Sequence, residues 1–375
     1  MAFESQAGRL SRGEMLARLR LTRTETVGPM SFRALIARFG TAESALEAVP
    51  DLAARGGRRR PLRIPSTAEA EREMKAVQAF GGEILFLGDA AYPPLLAAIE
   101  DAPPVLIACG SMHLLERPTL AVVGARNASS AGRRLTERLA REIAAAGVTV
   151  VSGLARGIDT AAHKGALEGG TVAVVAGGLD ITYPRENADL QRTIAERGLL
   201  LSDEPLGTQP QARHFPKRNR IISGISLGVL VVEAAHRSGS LITARLAGEQ
   251  GREVFAIPGS PLDPRAKGAN ALLKSGATLV EEASDILEAL AELRPPMEEP
   301  PMGDFAISAM SAGRETPEQV RRSVRELLST TPVGIDELVR DCDAPVAEVL
   351  MSLLELELAG SIERLPGGRV ALTIQ

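Results

Sequence analysis

Between Glu83 and Leu293 the chain repeats one pattern: short, continuously apolar runs rich in β-branched residues, separated by stretches of helical periodicity. The runs are Ile84–Leu87, Val105–Ala108, Leu120–Val123, Val148–Val151, Val172–Val175, Leu199–Leu201, Val229–Val232, Val254–Ile257 and Thr278–Val280. Amphipathic segments such as Arg133–Ala146 and Leu241–Gln250 lie between most of the later ones. A strand that is apolar on both sides must be covered on both sides, and helices in the connections of a parallel sheet do that. Crossovers between parallel strands are right-handed. The pattern therefore predicts an α/β domain with a Rossmann-like, doubly wound, mostly parallel sheet.

A chain of 375 residues has room for smaller domains on either side. Before the sheet, Glu14–Leu21, Ser31–Phe39 and Thr41–Val49 carry apolar residues at helical spacing, as in a SAM-like domain. Thr26-Val27-Gly28-Pro29 is a tight turn of helix-hairpin-helix type, which can offer backbone N–H groups to a DNA phosphate or simply join two helices. The basic, Gly/Pro-containing stretch Arg55 to Pro65 reads as a linker. After the sheet, Arg294 to Pro317 is Pro-rich and reads as a semi-extended tether. Helices at Glu318–Leu328, Ile335–Asp341 and Val346–Ala359, then two strands around Pro366-Gly367-Gly368, spell a winged helix-turn-helix. The expected division is residues 1–66, 67–293, 294–317 and 318–375. The third winged-helix segment has acids and no cation, so it fits a protein-interaction module or a lid better than a reader of the DNA groove.

Ligands of open parallel sheets bind outside the carboxyl ends of the strands. Here those ends run into Gly124-Ala125-Arg126, Ser152-Gly153-Leu154-Ala155-Arg156-Gly157, Ala176-Gly177-Gly178, and Glu233 followed by Arg237-Ser238-Gly239-Ser240. Small residues at a helix start let backbone N–H groups approach an anion, and the helix dipole favours it. A further basic stretch, His214-Phe215-Pro216-Lys217-Arg218-Asn219-Arg220, stands out in a chain of net charge −4. The two features together predict a phosphate-binding crevice.

Several ligands are excluded by what is missing. No G-x-G-x-x-G follows the Leu120–Val123 run, and Ser152 stands where an acidic residue would hold an adenosine ribose. No P-loop occurs. The four histidines and two cysteines, Cys109 and Cys342, show no metal-ligand spacing, so no cofactor is expected and a reducing cytoplasm fits the thiols. The start of the chain lacks the pattern of a signal peptide, and no apolar run is long enough to span a membrane. With no Trp and two Tyr, a binder built on many stacking platforms is disfavoured. Asp159, Asp180 and Glu233 are candidates for acid–base work, but each suits a helix cap or an arginine partner better.

Four stretches resemble the signatures of the DNA processing protein A (DprA/Smf) family: Ser152–Asp159, Gly178–Asn187, Phe215–Arg220 and Ser238–Ala244. Pro258-Gly259 and Gly268-Ala269-Asn270 extend the likeness, which is dense from Tyr92 to Leu287. The resemblance implies a recombination mediator that binds single-stranded DNA and loads the RecA recombinase onto it in natural transformation. It also implies a homodimer without a catalytic reaction, with single-strand-binding protein as a further partner. Carried over residue by residue, the DNA pocket takes in Arg126, the Ser152–Gly157 turn with Ser152, Gly153, Arg156 and Gly157, and the cluster Lys217, Arg218, Asn219 and Arg220, to which the strand-end turns add Gly124, Gly177, Gly178, Ser238, Gly239 and Ser240. Ala131 departs from the family pattern, which commonly has an aromatic or polar residue before the glycine. A rival reading is an enzyme, because the fold also resembles phosphoribohydrolases of the Lonely Guy type. Their glutamate-bearing Pro-Gly-Gly run is replaced here by Arg237–Arg245, without that acid.

Overall fold

The structure is a computed structural model that describes residues 10–293, 318–365 and 367–373. The tether expected at residues 294–317 lies outside the described residues. Two compact units emerge, one built on residues 73–293 and the other joining residues 10–72 to residues 318–373.

All of the anticipated strands of the larger unit form: β1 (Glu83–Phe86), β2 (Val105–Gly110), β3 (Thr119–Gly124), β4 (Thr149–Ser152), β5 (Thr171–Val174), β6 (Leu199–Ser202), β7 (Gly228–Val232), β8 (Glu253–Ala256) and β9 (Thr278–Leu279). They make one nine-stranded sheet in the order β1-β2-β6-β5-β4-β3-β7-β8-β9. From β6 to β9 every neighbour is parallel, while β1 and β2 add an antiparallel edge. Successive strand residues serve opposite faces, as a period of two requires. Ala121, Val123, Val229 and Val231 belong to one apolar core, whereas Leu120, Val122, Leu230 and Val232 belong to the other. From β3 the chain winds outward through β4, β5 and β6, then returns to β7 on the other flank of β3. The reversal of winding falls between β3 and β7, at whose carboxyl ends ligands usually bind in such sheets.

The helices are α1 (Arg12–Thr22), α2 (Pro29–Phe39), α3 (Ala42–Arg55), α4 (Thr67–Phe80), α5 (Pro94–Ala97), α6 (Ser130–Ala145), α7 (Ile158–Ala166), α8 (Ala188–Arg197), α9 (His214–Gly224), α10 (Gly239–Glu249), α11 (Lys267–Lys274) and α12 (Ala283–Glu292). The winged helix supplies α13 (Glu318–Leu327), α14 (Ile335–Asp341) and α15 (Val346–Leu358), with β10 (Val333–Gly334), β11 (Ile362–Leu365) and β12 (Arg369–Leu372) paired in the order β10-β12-β11. Among the described residues no helix is long and apolar enough to cross a membrane.

The second unit differs from the sequence expectation in one important respect. Its N-terminal helices and its winged helix share a core. Met351, Leu354 and Leu358 of α15 fill the space among Leu21, Phe32, Leu35, Leu46 and Val49. On its other flank α15 sends Val349, Leu353 and Leu356 into the winged helix's own core with Val324, Leu338 and Val370. From Met351 to Leu358 the helix is buried, which explains its lack of cations there. Two of its three acids are internal as well: Glu355, 1% exposed, accepts from Arg321 Nε at 2.8 Å, and Glu357 from Arg364 Nε at 2.8 Å. The helix-hairpin-helix turn joins this contact, with Thr26 Oγ1 donating to the Leu358 carbonyl at 2.9 Å. The stretch from Arg55 to Pro65 is ordered, because Arg20 Nε holds the Pro65 carbonyl at 2.8 Å, Glu25 N holds that of Arg63, and Leu62 and Ile64 pack on the core.

Candidate nucleic-acid interface

The turns at the carboxyl edge are packed on one another, and glycine is what lets them close. A Cβ on Gly124 would stand 1.9 Å from the Val232 carbonyl oxygen, so β3 and β7 could not meet there with any other residue. Gly157, at φ +80°, lies under the turn after β3, where a Cβ would come 2.2 Å from the Ala125 carbonyl oxygen. Ile158 N donates to that same carbonyl at 3.2 Å. Gly153 makes room for the Arg218 guanidinium, Gly177 for the Thr208 carbonyl and Gly178 for that of Pro205. These five glycines build the edge by admitting protein atoms. Gly239 alone of the expected set is exposed with nothing within 4 Å of a Cβ, at the start of α10 where Ser238 Oγ accepts from Ser240 N. Ser152 and Ser240 are buried, Ser152 Oγ donating to the Val122 carbonyl and Ser240 Oγ pairing with Ser238 Oγ.

Helix α9 divides its cations between two tasks. Lys217 is exposed. Arg218 is buried beneath the Ser152–Gly157 turn, with Nη1 donating to the Val174 carbonyl at 2.7 Å. Burial pulls its pKa down to about 10, opposed by the neighbouring Asp159 carboxylate, so it stays a cation at neutral pH. Burial also raises the Asp159 pKa, with Arg218 pulling the other way, and Ala155 N donates to its Oδ2 at 3.2 Å. Arg218 and Asp159 thus brace the turn from below as neighbouring opposite charges. Arg220 corrects the sequence expectation: it is 8% exposed and spends its guanidinium on the Asp101 carbonyl and on Asp203 at 3.2 Å. Three positions apart on α9, the two share a side of the helix, and it is the acceptors Asp101 and Asp203 that hold Arg220 inside while Lys217 stays exposed. Asn219 Nδ2 reaches the Gly239 carbonyl at 3.5 Å, tying α9 to the start of α10.

Two aromatic rings complete the edge, and neither was among the residues expected from sequence. Arg126, exposed, places its guanidinium carbon 5.3 Å from the centre of the Phe215 ring. Tyr183, 48% exposed, puts its ring 5.6 Å from Phe215 with the planes 55° apart. Both lie inside stretches that carry the family resemblance, in a chain with two Tyr, eight Phe and no Trp. Arg156 is exposed and 3.6 Å from Glu186. The arrangement can hold an aromatic ring between a π-face and cations, with phosphates at Lys217 and Gly239.

The acid–base candidates are engaged elsewhere. Glu233 accepts from Ser129 N at 2.8 Å and from the Ser129 hydroxyl at the start of α6, and Asp180 accepts from Gly207 N at 2.8 Å. His163 is wholly buried, its Nδ1 2.8 Å from Thr171 Oγ1, and burial pushes its pKa down to about 3. Among the described residues no cluster of three or more His, Cys, Asp or Glu could hold a metal.

The pattern that defines the family "DNA recombination-mediator protein A" matches residues 83–291, the whole span that builds this edge. The chain belongs to that family. The flanks match a "DprA-like N-terminal HHH domain" at residues 12–76 and a "DprA winged helix domain" at residues 308–368. Protein Smf of Escherichia coli is 46% identical over 285 residues, which is 75% of each chain. DNA processing protein DprA of Streptococcus pneumoniae is 48% identical over 201 residues, 53% of this chain and 71% of the relative. Among solved structures, that of the Streptococcus pneumoniae protein superposes with a TM-score of 0.63 at 35% identity, covering 75% of this chain and 98% of the other. A Helicobacter pylori DNA processing protein A, described for its single-stranded DNA binding mode, gives 0.52 at 30% identity over 56% of this chain and 96% of its own.

Proposed function

We propose that the carboxyl edge of the sheet binds single-stranded DNA with little regard to sequence, and that the chain acts there as a recombination mediator without a catalytic step. The observation that carries this reading is the Tyr183–Phe215–Arg126 group, with Lys217 exposed on the same helix as Phe215. The exposed Tyr183 ring beside the half-buried Phe215 ring and its Arg126 cation suits an unpaired base and its phosphate, and every base offers a π-face, so such a site is tolerant of sequence. The single-stranded DNA binding mode described for the Helicobacter pylori relative supports it. The phosphoribohydrolase alternative is disfavoured because Asp159, Asp180 and Glu233 all accept hydrogen bonds from backbone N–H groups.

In this reading the protein is cytoplasmic, pairs as a homodimer through the sheet unit and hands the strand to RecA, with single-strand-binding protein as a competitor or partner on the same strand. Two aligned sites in a dimer would raise avidity without new contacts. Fluorescence anisotropy with a single-stranded oligonucleotide, run beside a mixed-sequence competitor series and a nucleotide-hydrolysis assay, tests the core of it. Sequence-independent, salt-sensitive binding without hydrolysis is expected. Turnover of a nucleoside monophosphate, or absence of single-strand binding, would overturn it. Light scattering of the full chain tests the dimer, and a monomeric mass would remove that part.

A further inference from the structure

The basic stretch from Arg55 to Arg63 holds five arginines and no acid, in a chain of net charge −4. The sheet-edge site makes no use of it. Its anchoring shows that it is a fixed surface: Arg58 N donates to the Ala53 carbonyl, and Leu62 and Ile64 are held in the core. Two of the arginines are neutralised. Arg58 pairs with Glu25 at 2.6 Å, and Arg63 lies 3.8 Å from Glu69. Arg59 and Arg60 are exposed and have no acidic partner among the described residues.

The winged helix adds cations to the same place. On α13, Arg322 and Arg325 are exposed, three positions apart and so on one face of the helix, and neither has an acidic partner among the described residues. Arg325 Nη1 comes within 3.8 Å of where a Cβ on Gly57 would stand, which sets this face against the arginine segment. The patch is therefore composite. It exists because α15 welds the N-terminal helices to the winged helix.

We propose that this composite surface, Arg59 and Arg60 with Arg322 and Arg325, is a second nucleic-acid site, and that its ligand is the phosphate backbone of duplex DNA. Guanidinium groups match phosphate oxygens two at a time, and a local concentration of them in an acidic chain focuses attraction on one surface. The choice of duplex follows from what the patch lacks. Of the described aromatics of this unit, Phe32 is buried in its core and Phe39 is partly buried against it with Arg38 over its ring, so among the described residues no exposed ring is offered to an unpaired base. The site is distinct from the groove-reading helix of a winged-helix protein, since α15 is buried on both flanks.

The test uses the full chain, with a blunt duplex and a single strand of equal length as probes. Arg59→Glu/Arg60→Glu and Arg322→Glu/Arg325→Glu should each weaken duplex binding by at least about tenfold. Each should also lower the salt slope by about two, near 0.9 for every phosphate that is no longer neutralised. Single-strand affinity should stay within about threefold, and Lys217→Ala should keep its duplex binding. Arg59→Gln/Arg60→Gln, with thermal melting as a check on folding, serves if the charge reversals do not fold. Wild-type affinity for duplex in both charge-reversed proteins would overturn the proposal, as would a wild type that ignores duplex. So would equal loss of duplex and single-strand binding. Loss of both probes on Lys217→Ala alone would assign all DNA binding to the sheet edge. Loss of binding to anionic vesicles with duplex binding intact would reassign the patch to a membrane surface.

Discussion

The guanidinium carbon of Arg126 stands 5.3 Å from the centre of the Phe215 ring, so the turn after β3 and the start of α9 meet over one aromatic face. Charge and stacking at this place make separable predictions. Arg126→Ala and Lys217→Ala are each expected to weaken single-strand binding for all sequences alike and to lower the salt slope by about 0.7. Phe215→Ala is expected to cost about 1–3 kcal/mol of binding, roughly 5- to 150-fold, and to leave the salt slope unchanged. Anisotropy titrations across a salt series measure both quantities. A Phe215→Ala protein whose slope falls like that of Lys217→Ala would contradict the stacking role.

Gly153 and Arg218 make the second pair. A Cβ on Gly153 would lie 1.8 Å from Arg218 Nη1, and that guanidinium is fixed by the Val174 carbonyl. Gly153→Ala must therefore displace a buried, hydrogen-bonded cation. A loss of about 1–3 kcal/mol is expected in urea unfolding. Gly239→Ala, with open space around it, is expected to change stability by less than about 1 kcal/mol. Equal effects of the two substitutions would mean that the turn yields more than its packing suggests.

The sheet was legible because parallel strands buried on both faces leave continuous apolar runs, and nine such runs became nine strands. The site was less so. Glycine at a strand end signals close approach without saying what approaches, and at Gly124, Gly153, Gly157, Gly177 and Gly178 the answer is protein. Charge in a basic stretch says nothing of direction, so Lys217 and Arg220 looked alike although one faces solvent and the other Asp203. The apolar spacing reads as a helix over Thr41–Val49, yet α3 continues through Pro50 to Arg55. Pro50 is exposed, while Leu52 and Ala53 are buried in the core, and that burial outweighs the lost backbone bond. The shared core of α15 pairs residues more than three hundred positions apart, a relation no local pattern encodes.

His163 gives the stability a definite pH dependence. Its pKa falls from 6.5 to about 3 on burial, so the native state keeps it neutral where the unfolded chain takes up a proton. Its contribution is fully present above pH 6.5 and is lost progressively as pH falls from there toward about 3. Through that window the loss approaches about 1.4 kcal/mol per pH unit for one proton. Urea unfolding at pH values of about 7, 6 and 5, compared with His163→Gln, checks this. The variant's stability should depend on pH less steeply by about one proton, and an unchanged slope would deny His163 the role.

The core shared by α15 predicts how far the two ends of the chain depend on each other. Leu354, fully buried, projects from the winged helix into the N-terminal helices. Truncating it to Ala strips apolar packing and leaves a cavity, for an expected loss of about 2–5 kcal/mol. Because the core is common, the loss should appear in α1–α3 as well as in the winged helix. Amide exchange should rise in both segments together while β3 and β7 stay protected. Removing the chain beyond Leu293 goes further and deprives α1–α3 of Met351, Leu354 and Leu358 at once. That protein is expected to lose protection at residues 12–55 yet to keep single-strand affinity within a few-fold, since the sheet edge draws on residues 124–240. If residues 12–55 instead stay as protected as in the full chain, the shared core contributes nothing to their stability. A fall in affinity of about a hundredfold or more, with the sheet still protected, would place single-strand contacts on the second unit.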